Sequence, residues 1–275
     1  LDYSASGTGV DVDLEAGSVA KADGTDLISN IEDVVGSDAN DSISGSADSN
    51  TLTGGAGDDI IDGRAGDDLI VGGLGNDTLL GGDGTDTLDY SDATGGQTID
   101  LETGTATGAD GNDTISGFEN VTGTEFADTI SGNDADNSIE GGAGEDVLSG
   151  GAGYDMLNAG DGNDTISGGI GDDRIRAGAG DDSIISGDGD DFVDAGEGND
   201  NIDTGEGGST MLAGDGVDGI ASGAGDVLID GGAGDDTILS GTGDDTVDGG
   251  VGNDTIISGD GDDVVAGGAG NDTIN

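Results

Sequence analysis

The sequence predicts an all-β chain, a right-handed parallel β-roll or β-helix solenoid, with two nonapeptides, about 18 residues, to each coil of its regular runs. Three observations carry that prediction. A nine-residue period runs through most of the chain, the eighth residue of each period is apolar, and glycine supplies 63 of the 275 residues while proline is absent. Self-similarity on so short a period marks a stack of turn-and-strand units rather than a conventional core.

The elements follow in order. Residues 1–53 form a leader of degenerate repeats. Residues 54–89 hold four regular nonapeptides, GGAGDDIID, GRAGDDLIV, GGLGNDTLL and GGDGTDTLD. Residues 90–140 form a second leader: 88–142 align without gaps on 1–55, with LDYS recurring at Leu1 and Leu88, and ADGTDLISNIEDVVG (22–36) matching ADGNDTISGFENVTG (109–123). Residues 141–275 are fifteen further nonapeptides. The last two units of each leader are weak nonapeptides. Their apolar eighth residues, Ile43, Leu52, Ile130 and Ile139, keep the register, so one continuous solenoid without a linker is expected.

Each regular unit divides into a six-residue turn and a three-residue strand. Position 4 is Gly in all 19 regular units, position 2 is Gly in 18, with Arg64 the exception, and position 6 is Asp in 17, with Ser209 and Val227 the exceptions. Glycine permits positive φ and close backbone approach in the turn. Side chains alternate along a strand, so position 8 points inward and positions 7 and 9 outward. Two nonapeptides make one coil, and stacked coils make two parallel sheets that face each other across a thin core. In such a stack the turn of one unit lies above that of the next unit but one, and the position-6 carboxylates and turn carbonyls face the gap between them. That is an all-oxygen site, suited to Ca²⁺ with its 6–8 oxygen ligands and less to the octahedral, water-retaining Mg²⁺.

Composition removes several function classes. With no Cys and no His there is no disulfide frame, no thiolate or imidazole metal site and no Cys or His catalysis. Against 62 acidic residues stand Lys21, Arg64, Arg174 and Arg176, for a formal charge of −58, so nucleic acid and anionic membrane surfaces would be repelled. No apolar run approaches the roughly 20 residues of a membrane span. The absence of an initiating Met and of a signal peptide reads as a piece of a longer protein.

The pattern G-G-x-G-(N/D)-D-x-U-x, U being apolar, resembles the RTX, or haemolysin-type, calcium-binding repeat. The resemblance implies a parallel β-roll, Ca²⁺ between stacked turns, and secretion to the cell exterior. Carried over residue by residue, it places calcium ligands at Asp59, Asp68, Asp77 and Asp86 in the first run. In the second run it places them at Asp146, Asp155, Asp164, Asp173, Asp182, Asp191, Asp200, Asp218, Asp236, Asp245, Asp254, Asp263 and Asp272. Ser209 and Val227, one coil apart, predict a local calcium gap over 204–230 on one edge with the opposite edge intact.

Other signals are bland. Arg174 and Arg176 flank Ile175 on one outer face, where local charge balance is the simplest role. Ile185, Ala221, Leu239 and Ile257 share an outward column that Asp203 interrupts. Thr165, Thr237, Thr255 and Thr273 share another, and Thr is an ordinary exposed strand residue. Tyr3 and Tyr90 occupy equivalent leader positions and read as packing. No catalytic constellation is visible, so the chain reads as no enzyme. The expected role is an extracellular calcium-binding structural or adhesive segment of a bacterial surface layer, adhesin or matrix fibre. The alternative is a calcium-dependent folding and secretion module attached to a protease, lipase, cytolysin or alginate epimerase. Expected partners are calcium, and copies of the chain or cell-surface polysaccharide, with no nucleic acid and no membrane insertion.

Overall fold

The computed structural model describes residues 1–22 and 24–275 and divides into two compact units, Leu1–Thr124 and Glu125–Asn275. Both are parallel β-solenoids with the expected repeat spacing. In the second unit, strands one coil apart pair in register along each of two sheets: Leu148 with Ile166 and Ile166 with Ile184 on one, Leu157 with Ile175 and Ile175 with Val193 on the other. The paired position-8 side chains are buried, from Ile130 through Ile256. The weak units keep register as expected, with Ile43 opposite Ile61, Leu52 opposite Ile70, Ile130 opposite Leu148 and Ile139 opposite Leu157.

The strands are longer than the repeat alone predicts. Over most of the regular runs they extend through positions 7–9 and on into positions 1–3 of the next unit, as in Thr51–Ala56 and Thr165–Ile170. The glycine at position 2 takes positive φ there (+117° at Gly55) while still pairing with its counterpart one coil on (Gly55 with Gly73). Position 1 is a second inward position. It is buried in most regular units and holds only Gly, Ala, Ser or Thr, such as Gly54, Ala159, Ala177 and Ser186, and in nearly every unit it faces the position-6 carboxylate of that unit.

The first unit departs from a plain stack at both leaders. Strands Asp11–Asp13, Ser18–Lys21 and Gly24–Leu27 form an antiparallel meander, the first of them pairing in parallel with Ser42–Ser44. Gln97–Asp100, Thr105–Gly108 and Asn112–Ser116 form a second meander, the last of them pairing in parallel with Thr78–Asp83. Ile115 thus lies opposite Leu79, at twice the usual spacing along the chain. Residues 108–116, GADGNDTIS, are a hidden nonapeptide that rejoins the stack. A shortened turn then leads to Asn120–Thr122, where Val121 lies opposite Leu88.

Candidate metal centre

The turns stack into columns of position-6 side chains, one per coil on each edge. Every such aspartate in the regular runs up to Asp254 is buried. In each column Oδ1 of one rung accepts the backbone N–H of the rung one coil earlier. On one edge of the second unit this ladder is unbroken from Asp128 to Asp272, with N–H of Asp146 on Asp164 at 2.8 Å and of Asp164 on Asp182 at 2.7 Å. On the other edge it runs from Asn137 through Asp155, Asp173 and Asp191. There the N–H of Asp191 reaches the hydroxyl of Ser209 at 3.2 Å. Val227 offers the N–H of Ser209 no acceptor, and the ladder resumes with Val227 N–H on Asp245 and Asp245 N–H on Asp263, each at 3.1 Å. Ser209 and Val227 therefore do occupy adjacent turns of one edge, facing an intact column opposite.

The second carboxylate oxygen makes the site chemically unusual. Oδ2 is buried without a hydrogen-bond partner in Asp59, Asp68, Asp77 and Asp86, and in Asp146, Asp155, Asp164, Asp173, Asp182, Asp200, Asp218, Asp236, Asp245 and Asp254. Three predicted ligands differ: Oδ2 of Asp191 accepts the Ser186 hydroxyl at 2.5 Å, while Asp263 and Asp272 are only part-buried. A side chain built on Gly54 would overlap Oδ2 of Asp59 and the carbonyl oxygen of Gly72, and the same holds for Gly63 with Asp68 and Gly81. At these positions the missing side chain lets a carboxylate oxygen and a backbone carbonyl oxygen approach the same point.

Burial raises the pKa of these carboxyls, with neighbouring acidic groups adding to it. Asp59 and Asp182 rise to about 7, and Asp68, Asp77, Asp146, Asp155, Asp173, Asp218 and Asp236 to about 6. An unpaired buried carboxylate is costly, and natural proteins neutralise it with a proton, a cation or a full set of donors. The donor set is oxygen only, which fits a hard divalent cation such as Ca²⁺. Among the described residues no three acidic side chains converge on one point. A cation here would draw on one carboxylate per turn and complete its shell with backbone carbonyls, as the glycine turns allow.

Some participants escaped the sequence reading. Position 5 carries a second ladder that runs in the opposite sense: N–H of Asn76 donates to Asp58, of Asn199 to Asp181 and of Asn253 to Asp235, at 2.9, 2.8 and 2.7 Å. The frequent Asp and Asn at position 5 were the available signal. The leaders also supply rungs: Asp77 N–H donates to Asp113, 36 residues on, and Asp86 N–H to Glu119, 33 residues on, each at 2.9 Å. Glu119 reaches across the shortened turn with its extra methylene. Tyr90 is packed in the core, as expected, and its hydroxyl also donates to Asp113 at 2.6 Å.

The outward signals stay modest. Arg174 lies over the Phe192 ring, 4.4 Å from its centroid, and Arg176 pairs with Asp194 at 3.4 Å. Thr237, Thr255 and Thr273 are successive in register, whereas Thr165 is separated from them by Ser183, Asn201 and Gly219.

No curated protein matches the chain. The family model described as the RTX calcium-binding nonapeptide repeat matches residues 35–70, 62–92, 104–119, 122–157, 155–184, 177–211, 212–247 and 239–274. Stacked glycine turns, buried carboxylate columns and a match over most of its length agree, and the chain belongs to the RTX calcium-binding nonapeptide repeat family, typical of secreted, cell-surface bacterial proteins.

Proposed function

We propose that this calcium-binding segment is a structural or adhesive spacer, part of a surface layer, adhesin or matrix fibre, that folds when calcium reaches it after secretion. The position-6 aspartates would hold the ions together with turn carbonyls. The row of buried, unpartnered Oδ2 atoms supports this most directly. A chain of formal charge −58 with carboxylates stacked in its interior repels itself without cations, and its glycine content adds to the entropy lost on folding. Calcium binding would supply the missing folding free energy. Extracellular calcium modules work at roughly 0.1–1 mM, so folding would wait for export. The exposed Leu239 and Ile257 are adjacent on one outer sheet face, with Ile185 in the same column beyond Asp203 and Ala221, and this pair supports lateral contacts between copies.

A calcium titration of the chelated chain tests this, with far-UV circular dichroism and light scattering followed together. A coil-to-β transition with scattering that rises and reverses on chelation is the expected result. The same transition with flat scattering would point instead to a folding and secretion module attached to an enzyme or toxin. No transition at all would refute calcium-coupled folding.

A further inference from the structure

We propose that two rungs within the matched repeats, Asp41 and Asp113, are closed by the protein's own hydrogen-bond donors and take no calcium, so that one carboxylate column of the first unit is bounded at both leaders by calcium-independent rungs. The inference rests on the reading that the open rungs bind calcium. One column of the first unit consists of Asp41, Asp59, Asp77 and Asp113, joined by N–H to Oδ1 bonds of 2.7, 2.8 and 2.9 Å. Its two middle members carry a buried Oδ2 with no partner. Its two end members do not.

At Asp113, Oδ1 accepts the N–H of Asp77 and Oδ2 accepts the Tyr90 hydroxyl at 2.6 Å. Both side chains are buried, Tyr90 at 5% and Asp113 at 7% exposure. At Asp41, Oδ2 accepts the N–H of Ser37 at 2.5 Å, while Oδ1 accepts the N–H of Val10 at 2.7 Å and the Ser37 hydroxyl at 3.0 Å. Charge-assisted bonds of this kind already stabilise the carboxylate. An arriving cation would meet the positive ends of those N–H and O–H dipoles and would have to break buried bonds to reach an oxygen. In both places the donor that closes Oδ2 belongs to a leader, Tyr90 from the second and Ser37 from the first. The other column of the unit begins on an amide, Asn50, whose Oδ1 accepts the N–H of Ser46 at 2.7 Å and whose Nδ2 stands where the open rungs have a carboxylate oxygen. The open rungs of the first column, Asp59 and Asp77, are thus bounded on both sides by bonds that calcium removal does not touch.

The test counts calcium ions per chain by native mass spectrometry of the full chain, after calcium saturation and removal of excess. Asp77→Asn should lose at least one ion, whereas Asp113→Asn and Asp41→Asn should keep the wild-type number. Loss of an ion from Asp113→Asn or Asp41→Asn to the same extent as from Asp77→Asn overturns the proposal. An unchanged count for Asp77→Asn would instead sink the calcium reading of the open rungs on which it rests. If the leader variants fail to fold, a crystal structure of the calcium-loaded wild type decides. The Tyr90 hydroxyl should remain bonded to Asp113, and an ion coordinated by Asp113 or Asp41 would overturn the proposal.

Discussion

Arg64 shows how one residue can trade backbone comfort for a long-range tie. It holds a position-2 slot that is otherwise glycine, at φ 75°, where a side chain is strained. Its guanidinium grips both oxygens of Asp13 at 3.0 and 3.1 Å, and also Glu15 and the carbonyl of Gly45. The pairing holds the Asp13 carboxyl below its ordinary range. Arg64→Ala keeps the strained backbone and loses the tie, so it should destabilise the calcium-saturated protein by about 1 kcal/mol in urea denaturation. Arg64→Gly should recover about 1 kcal/mol of that, because glycine accepts the φ freely. Equal losses for the two variants would show that the positive φ carries no cost here.

At the scale of the element, the ladder sets the unit of cohesion, and its interruption is local. On one edge of the second unit three successive rungs lack a free carboxylate oxygen: Asp191, closed by Ser186, then Ser209, then Val227. The facing column from Asp182 to Asp236 is complete. Val227→Asp restores an acceptor opposite the N–H of Ser209, since Thr210 and Leu228 are already in register. In saturating calcium the variant should melt at a higher temperature, by the equivalent of about 0.5–1.5 kcal/mol for one buried hydrogen bond. In chelator it should be less stable than wild type, because a buried carboxylate without a cation is a net cost. A shift of the same sign in both conditions would contradict the assignment of calcium to these columns.

For the whole molecule, the raised carboxyl pKa values couple folding to pH. Asp59 and Asp182 titrate near 7 in the fold, and a larger set near 6, against 3.8 in the unfolded chain. Between 3.8 and those values the folded state binds more protons than the unfolded one, so stability falls as pH rises through the window. The chelated chain should therefore gain β-structure on acidification from pH 8 to about 4.5, as protons replace cations in neutralising the columns. In the presence of calcium the sign reverses for affinity: protons compete for the same oxygens, and the calcium midpoint should rise as pH drops below about 6. Circular dichroism across pH, with and without chelator, checks both. A chelated chain equally unfolded at both ends of that acidification would mean that the carboxylate columns do not control folding.

The amino-acid order alone determined the coil. An apolar residue every nine positions fixes the strand face, glycine at positions 2 and 4 fixes the turn, and the weak units around Ile43, Leu52, Ile130 and Ile139 kept register because alternation along a strand is a local property. The acidic columns were legible for the same reason, since equal spacing puts equal residues above one another. The path of the second leader was not, because its meander places Ile115 against Leu79 and Asp113 beneath Asp77 only once the strands pair. Nor could spacing separate Asp77, with a bare Oδ2, from Asp113, with Tyr90 upon it. Identical residues at identical repeat positions differ in chemistry through the donors that stacking brings to them, and stacking is a property of the tertiary structure alone.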